Sequence, residues 1–127
     1  MKMLQPGDLV PHFDVQTVHG DVFRYSAIWQ SKNLVLVTLP AVAGDDGYVR
    51  DLMARAPEFD HRHAACIVTR EGVPGLPAPG GLVADRWGEI VYLTAPSQVA
   101  SLPTPQELLD WVEYLENRCP ECEGEAR

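Results

Sequence analysis

Hydrophobic and polar residues alternate near the start of the chain, on either side of a short polar turn. In the first stretch Phe13, Val15 and Thr17 share one face, and residues 22–25 form the second stretch. A period of two is typical of half-buried strands. Residues 19–21 contain a glycine and an aspartate, which favour a turn between the two stretches. The pattern therefore predicts an N-terminal β-hairpin.

Two later runs are largely apolar, which is typical of strands buried on both faces of a sheet. They are residues 34–39 and residues 64–69. Between them, apolar residues recur at helical spacing over residues 48–56, and Pro57 is expected to stop that helix. Buried strands that are joined through a helix are expected to lie parallel to each other.

The last third of the chain predicts a loop, a second hairpin and a final helix. Glycine and proline dominate residues 71–81, and residues 82–84 and 89–93 then predict two antiparallel edge strands. Residues 104–107 read Thr-Pro-Gln-Glu, which is a capping box with proline at the first helical position. The helix is expected to run to about residue 118. This order predicts an α/β three-layer sandwich around a mixed sheet.

The length and composition are those of one globular domain that can bury a hydrophobic core without support from disulfides or metals. The chain has 127 residues, of which 46% are hydrophobic and 22% are charged. Its formal net charge of -8 argues against a nucleic-acid or anionic membrane partner, because both attract positive charge. No apolar run suits a membrane span, and the N-terminus lacks the apolar core of a signal peptide. We therefore expect a cytoplasmic protein.

Several short motifs follow one another along most of the chain. They are Pro6-Gly7-Asp8, Pro11-His12-Phe13, His19-Gly20-Asp21-Val22-Phe23, the apolar strand ending in Pro40, and the hairpin with Asp85-Arg86-Trp87-Gly88 in its turn. This order resembles the redoxin superfamily, which holds the peroxiredoxins and the relatives of alkyl hydroperoxide reductase. The resemblance implies a thioredoxin-like three-layer sandwich over residues 1–118, with a mixed central sheet, an N-terminal β-hairpin and flanking helices.

The chain departs from that family where the family carries its chemistry. Peroxiredoxins place a reactive cysteine at the start of the helix after the first buried strand, with a threonine three residues before it. Here residues 40–47 contain no Cys, Ser or Thr, and Asp45 and Asp46 would repel a thiolate. We therefore expect no peroxidase chemistry of the family kind. The resemblance also implies that the helix before residue 82 is shortened or lost, and that Pro79 matches the family's often cis proline.

Cys119 and Cys122, which we call the cysteine pair, form a Cys-Pro-Glu-Cys motif in an acidic tail, residues 119–127. This spacing suits one disulfide or half of a zinc site. The pair follows the predicted end of a helix, and the negative end of a helix dipole raises thiol pKa values, as Glu121 and Glu123 also do. Three interpretations stay open. The pair is a slow or regulatory dithiol, or two ligands of a zinc ion shared with a second chain, or two cysteines without a role.

His61, His63 and Cys66 form the second cluster of chemistry-bearing residues. Two histidines with a nearby cysteine suit a metal ion, and together with the cysteine pair they would complete a site. The simpler interpretation is two exposed histidines and a buried cysteine that acts as a small hydrophobe. Trp111 lies on the apolar face of the last predicted helix and is expected in the core. Trp87 lies in a turn, where it is either exposed at a partner surface or packed on a loop.

The sequence supports two functional hypotheses of different classes. The first is a thiol-disulfide oxidoreductase in which Cys119 and Cys122 are catalytic, with a protein thiol or disulfide as its partner. The second is a non-catalytic redoxin-like binding module, with zinc as its cofactor held by the same cysteines across a homodimer. The first hypothesis requires no cofactor.

Overall fold

The computed structural model describes residues 3–41 and 46–117. Within these residues the chain forms six β-strands and three α-helices. Two short 3-10 turns, Tyr25–Ala27 and Val99–Ser101, complete the described elements. The strands are β1 Asp14–Gln16, β2 Val22–Arg24, β3 Asn33–Thr38, β4 Ala64–Thr69, β5 Gly80–Ala84 and β6 Ile90–Thr94. The helices are α1 Asp46–Ala54, α2 Ala56–His61 and α3 Pro105–Asn117.

The central sheet has four strands in the order β4-β3-β5-β6. Strands β3 and β4 are parallel, with Val35 opposite Cys66, whereas β5 runs antiparallel to both β3 and β6. The mixed sheet and the parallel pair are confirmed. The expectation that the second hairpin supplies two edge strands is wrong for β5, because β5 pairs with β3 and lies inside the sheet. An interior position requires apolar residues on both faces, and all five residues of β5 are buried.

Strand β3 is covered on both faces, and its alternate residues feed two separate cores. Val35 and Val37 face the side where all three α-helices pack. Leu34 and Leu36 face the N-terminal hairpin and the segment between β4 and β5. The predicted N-terminal hairpin is confirmed, since β1 pairs antiparallel with β2. Helices, sheet and hairpin form the three layers of the predicted thioredoxin-like α/β fold.

The N-terminal segment also reaches both outer edges of the central sheet. On one edge, the backbone N–H of Val18 donates to the carbonyl of Val68 in β4 at 2.9 Å. On the other edge, the N–H of Ile90 in β6 donates to the carbonyl of Asp8 at 2.9 Å, and Val10 donates to Gly88 at 2.8 Å. The segment from Asp8 to Val18 is therefore tied to both edge strands.

Pro57 does not stop a helix but begins one. Helix α1 ends at Ala54, the chain turns at Arg55, and Pro57 lies in the first turn of α2. Proline suits that position, because the first N–H groups of a helix have no intrahelical partner and its fixed φ already fits a helix. The helix predicted over residues 48–56 thus corresponds to α1, and α2 is a further helix that the pattern did not predict.

The segment between β4 and β5 contains no helix, as the resemblance implied. The loop predicted over residues 71–81 is two residues too long at its C-terminal end, because Gly80 and Gly81 already belong to β5. Val73 and Leu76 are buried in the segment and join the core under the N-terminal hairpin. The segment therefore contributes two apolar side chains to that core.

Helix α3 begins with the predicted capping box. The N–H of Glu107 donates to Thr104 Oγ1 at 3.1 Å, and the N–H of Thr104 donates to Glu107 Oε1 at 3.3 Å. Two N–H groups at the start of the helix are thereby satisfied. The helix then buries Leu108, Leu109, Val112 and Leu115 against the sheet.

Gly80 has no room for a side chain, which gives a direct test of the packing at the start of β5. A Cβ there would fall on the carbonyl oxygen of Pro77 and touch Leu76. Gly80→Ala is expected to destabilise the fold by about 3 kcal/mol, since the clash involves backbone. Gly72→Ala is the matched control, because nothing lies within 4 Å of its Cβ position. It should change stability by less than about 0.5 kcal/mol. Denaturant unfolding of both variants measures the difference; equal stability would contradict the packing.

Candidate functional site

The carboxyl end of β3 is where the resemblance places an active site. The hydroxyl of Thr38 donates to the carbonyl of Pro77 at 2.9 Å, and a side-chain N–H of Arg70 donates to the carbonyl of Pro40 at 2.9 Å. The Ala78–Pro79 peptide bond is cis, as the resemblance implied for Pro79. Residues 42–45 lie outside the described part of the chain. Among the described residues at this end there is no cysteine.

Cys66 is the one cysteine within residues 3–41 and 46–117. It lies in the middle of β4 and packs against the core on the helical side. Burial raises the pKa of its thiol to about 12. The thiol is therefore protonated at neutral pH and is a poor nucleophile or metal ligand, because both roles need the thiolate. The expectation of a small, hydrophobic Cys66 fits this environment.

A polar cluster lies at the opposite end of the sheet, about 17 Å away along β3. We call it the glutamate network; it consists of Asn33, His63, Arg86 and Glu116. His63 Nδ1 lies 2.7 Å from Glu116 Oε1. Asn33 Nδ2 donates to Glu116 Oε2 at 2.9 Å, and Arg86 Nη2 reaches the same oxygen at 3.4 Å. The network joins the last turn of α3 to the start of β3 and to the β5–β6 turn.

The charge on Glu116 is set by two opposing effects. Burial raises the pKa of its carboxyl, but hydrogen bonds from His63 and Asn33 and the positive charges of His63 and Arg86 outweigh burial, so the pKa is lowered overall. The carboxylate is therefore ionised at neutral pH and accepts from three side chains. A carboxylate held in this way has both of its oxygens fixed in direction.

Cys119 and Cys122, the predicted catalytic or zinc-binding residues, lie outside the described residues. The last described residue of α3 is Asn117, next to Glu116. In the sequence, the two cysteines come two and five residues after Asn117. The boundary of the tail at residue 119 stays a prediction.

The structure does not bring His61, His63 and Cys66, the second predicted cluster, together in one site. His61 and His63 are exposed, as expected, and the ring of His63 contacts Glu116. Cys66 points into the core instead. Within the described part of the chain, no group of three or more His, Cys, Asp or Glu side chains is arranged to hold a metal ion. A metal site made of His61, His63 and Cys66 alone is therefore not formed.

Two tryptophans line the surface beside the β5–β6 turn. Trp87 is 47% exposed and Trp29 is 41% exposed, and the indole N–H of Trp29 donates to the carbonyl of Trp87 at 3.2 Å. Leu9 is exposed beside the same turn, across an isolated bridge to Glu89. We call Leu9, Trp29 and Trp87 the aromatic surface. Trp87 is exposed, which was one of its two expected positions.

Trp111 is half-buried and stacks on another aromatic residue. Its ring lies 5.2 Å from that of Tyr92, at an interplanar angle of 26°. It packs against the core on the helical side of the sheet, as its position on the apolar face of α3 predicted.

Sequence reasoning missed Glu116 and Asn33. Neither residue belongs to a recognisable motif in the sequence. One signal was present in the sequence: an asparagine at the start of a wholly apolar run is costly to bury without a partner. Asn33 is buried, so a partner side chain from elsewhere in the chain was required.

The glutamate network makes stability depend on pH in the acid range. Because the pKa of Glu116 is lower in the folded protein than its ordinary value of 4.5, the unfolded chain binds more protons there. The stabilisation is thus present at neutral pH and is lost as pH falls below about 4.5 and through the folded pKa. Glu116→Gln should cost about 1–2 kcal/mol at pH 7 and much less at pH 3. Urea unfolding of both proteins at the two pH values measures this; a difference independent of pH would contradict it.

No helix in the described residues is long and apolar enough to cross a membrane. Neither a family model nor a curated protein sequence matches the chain. The comparison with known proteins therefore rests on solved structures.

AhpC of Mycobacterium tuberculosis has a TM-score of 0.67 to this chain at 13% identity, covering 94% of this chain and 98% of that one. The mitochondrial 2-Cys peroxiredoxin of Plasmodium falciparum has a TM-score of 0.65 at 9% identity, covering 87% and 93%. The thioredoxin domain of a thiol-disulfide oxidoreductase from Bacteroides vulgatus has a TM-score of 0.62 at 12% identity, covering 90% and 99%. Similarity at these identities concerns the backbone fold. The chain has a thioredoxin-like fold, which it shares with peroxiredoxins and thiol-disulfide oxidoreductases.

Proposed function

We propose that the chain acts in thiol-disulfide exchange through Cys119 and Cys122. The observation that supports this most strongly is the state of Cys66, whose thiol is buried with its pKa raised to about 12. The sequence contains three cysteines. With Cys66 inert, the cysteine pair supplies the remaining thiols for the redox chemistry that is frequent on this fold.

The reaction needs no group beyond the pair and its partners. The thiolate of one cysteine attacks a disulfide of the partner protein and forms a mixed disulfide, releasing one partner thiolate. The second cysteine then attacks the mixed disulfide, which releases the other partner thiol. The partner gains two electrons and two protons, and the pair becomes a disulfide that an external dithiol reduces again.

The surroundings of the pair favour slow exchange. The pair follows the C-terminal end of α3, where the helix dipole is negative, and Glu121 and Glu123 add negative charge. Both effects raise the pKa of a nearby thiol and reduce the thiolate fraction at neutral pH. We therefore propose a slow or regulatory dithiol rather than a fast reductant.

Replacing either cysteine of the pair should abolish the reaction. Cys119→Ser and Cys122→Ser are each expected to remove nearly all reduction of insulin disulfides with dithiothreitol as the external dithiol. Cys66→Ala is the matched control and should retain the wild-type rate. Full activity in either serine variant would overturn the proposal. The wild-type rate should rise between pH 7 and pH 9 as the thiols ionise.

A second candidate function is a non-catalytic binding module, and the aromatic surface favours it. Exposed tryptophans are enriched at protein interfaces, because they bury large apolar area at small entropic cost. In this hypothesis the pair holds zinc between two chains of a homodimer. Native mass spectrometry should then detect a dimer with bound zinc that dissociates on adding a chelator. A metal-free protein that is indifferent to the chelator would exclude the zinc version.

A further inference from the structure

The turn between β5 and β6 holds Trp87 outward on a backbone that is well supported by hydrogen bonds. The buried carboxylate of Asp85 accepts from the backbone N–H of Trp87 at 2.9 Å and from that of Glu89 at 3.0 Å. From outside the turn, the indole N–H of Trp29 donates to the carbonyl of Trp87 at 3.2 Å. The turn is therefore ordered before any partner binds, which lowers the entropic cost of burying the exposed indole.

Charges of opposite sign lie on the two sides of Trp87. Arg86 reaches toward α3, where its Nη2 lies 3.4 Å from Glu116 Oε2, and 44% of its side chain stays exposed. Glu89 is exposed and lies beside the N-terminal segment, since it forms an isolated bridge with Leu9. A half-turn about an axis through Trp87 therefore brings the arginine side of one copy against the glutamate side of another.

The surroundings of the aromatic surface are balanced in charge, although the chain as a whole has a net charge of -8. Apart from the buried Asp85, two acidic and two basic residues lie within three positions of an aromatic-surface residue along the chain. They are Asp8, Lys32, Arg86 and Glu89. Two copies of an acidic chain repel each other, and a surface with both signs of charge reduces that repulsion. The balance favours a second copy over a strongly basic or acidic partner at this surface.

We propose that two copies of the chain associate through the aromatic surface, about a two-fold axis near Trp87. In a two-fold contact, each contact between one residue and another is matched by the reverse contact. Arg86 of each copy then faces Glu89 of the other, so two ion pairs flank an apolar centre. An apolar centre with a polar rim is the usual arrangement of a protein interface. Because the aromatic surface is small, the dimer is reversible rather than permanent.

The test measures association of the full chain by analytical ultracentrifugation, with dithiothreitol and a chelator present. The wild type should dimerise reversibly as its concentration rises to the millimolar range. Trp87→Ser should weaken association by at least about 30-fold, since a central tryptophan is a typical hot spot. Val22→Ser is the matched control and should associate as the wild type does, because Val22 is 70% exposed on β2, outside the aromatic surface.

Two charge variants test the two-fold pairing itself. Glu89→Lys and Arg86→Glu each place like charges opposite each other twice in a dimer, so each should weaken association by about tenfold or more. Mixed in equal amounts, the two variants should associate about as tightly as the wild type, because both ion pairs are restored between unlike chains. Glu113→Lys changes the net charge as Glu89→Lys does, but on an exposed position of α3, and should not weaken association.

Circular dichroism checks that each variant is folded, since Arg86→Glu also removes a contact to Glu116. If that variant does not fold, the comparison of Glu89→Lys with Glu113→Lys decides the pairing alone.

A monomer at every concentration would overturn the proposal, as would equal association of Trp87→Ser and Val22→Ser. Folded charge variants that stay dissociated when mixed would exclude the two-fold pairing, and so would equal effects of Glu89→Lys and Glu113→Lys. The dimer should persist in a Cys119→Ser/Cys122→Ser double variant. A dimer that the chelator or this double variant abolishes would instead be the zinc-bridged one. The proposed thiol-disulfide exchange is measured separately by insulin reduction, so either can fail without the other.

Discussion

The fold depends on the burial of β3 on both faces. All six residues of this strand are buried, and its alternate side chains pack into two separate hydrophobic cores, one on each face of the sheet. A strand of this kind needs a neighbour on each edge and a layer on each face. Strands β4 and β5 are the two neighbours, and the three helices and the N-terminal hairpin form the layers on the two faces. The three-layer order follows from that requirement.

The same strand separates the two ends of the domain that matter for function. At its carboxyl end, Thr38 and Arg70 bind backbone carbonyls, and the described residues there contain no thiol. At its amino end, Asn33 joins Glu116, His63 and Arg86 in a network that fixes the last turn of α3. In the sequence, the cysteine pair comes after that helix. This protein thus has the thioredoxin-like fold of its structural neighbours, and its described residues at the carboxyl end of β3 contain no cysteine.

The sequence predicted most of the scaffold, because the scaffold depends on local signals. The alternation around Val15, the apolar run of β3 and the capping box at Thr104 each act over a few residues, and each was confirmed. Pro57 was misjudged because a proline is equally compatible with the end of one helix and the start of the next. The position of β5 was misjudged because edge and interior strands differ in their neighbours and not in length. The glutamate network joins residues up to 83 positions apart, so no local pattern indicates it.

The attachment of the N-terminal segment to both outer strands has a consequence for self-association. Open strand edges are the usual route by which sheets join into larger assemblies or aggregate. Here the backbone of Val18 occupies part of one edge, and that of Asp8 occupies part of the other. A continuous sheet across two copies would first require this segment to detach. Contacts between two copies would then favour side-chain surfaces, such as the one that exposes Trp29 and Trp87 beside the β5–β6 turn.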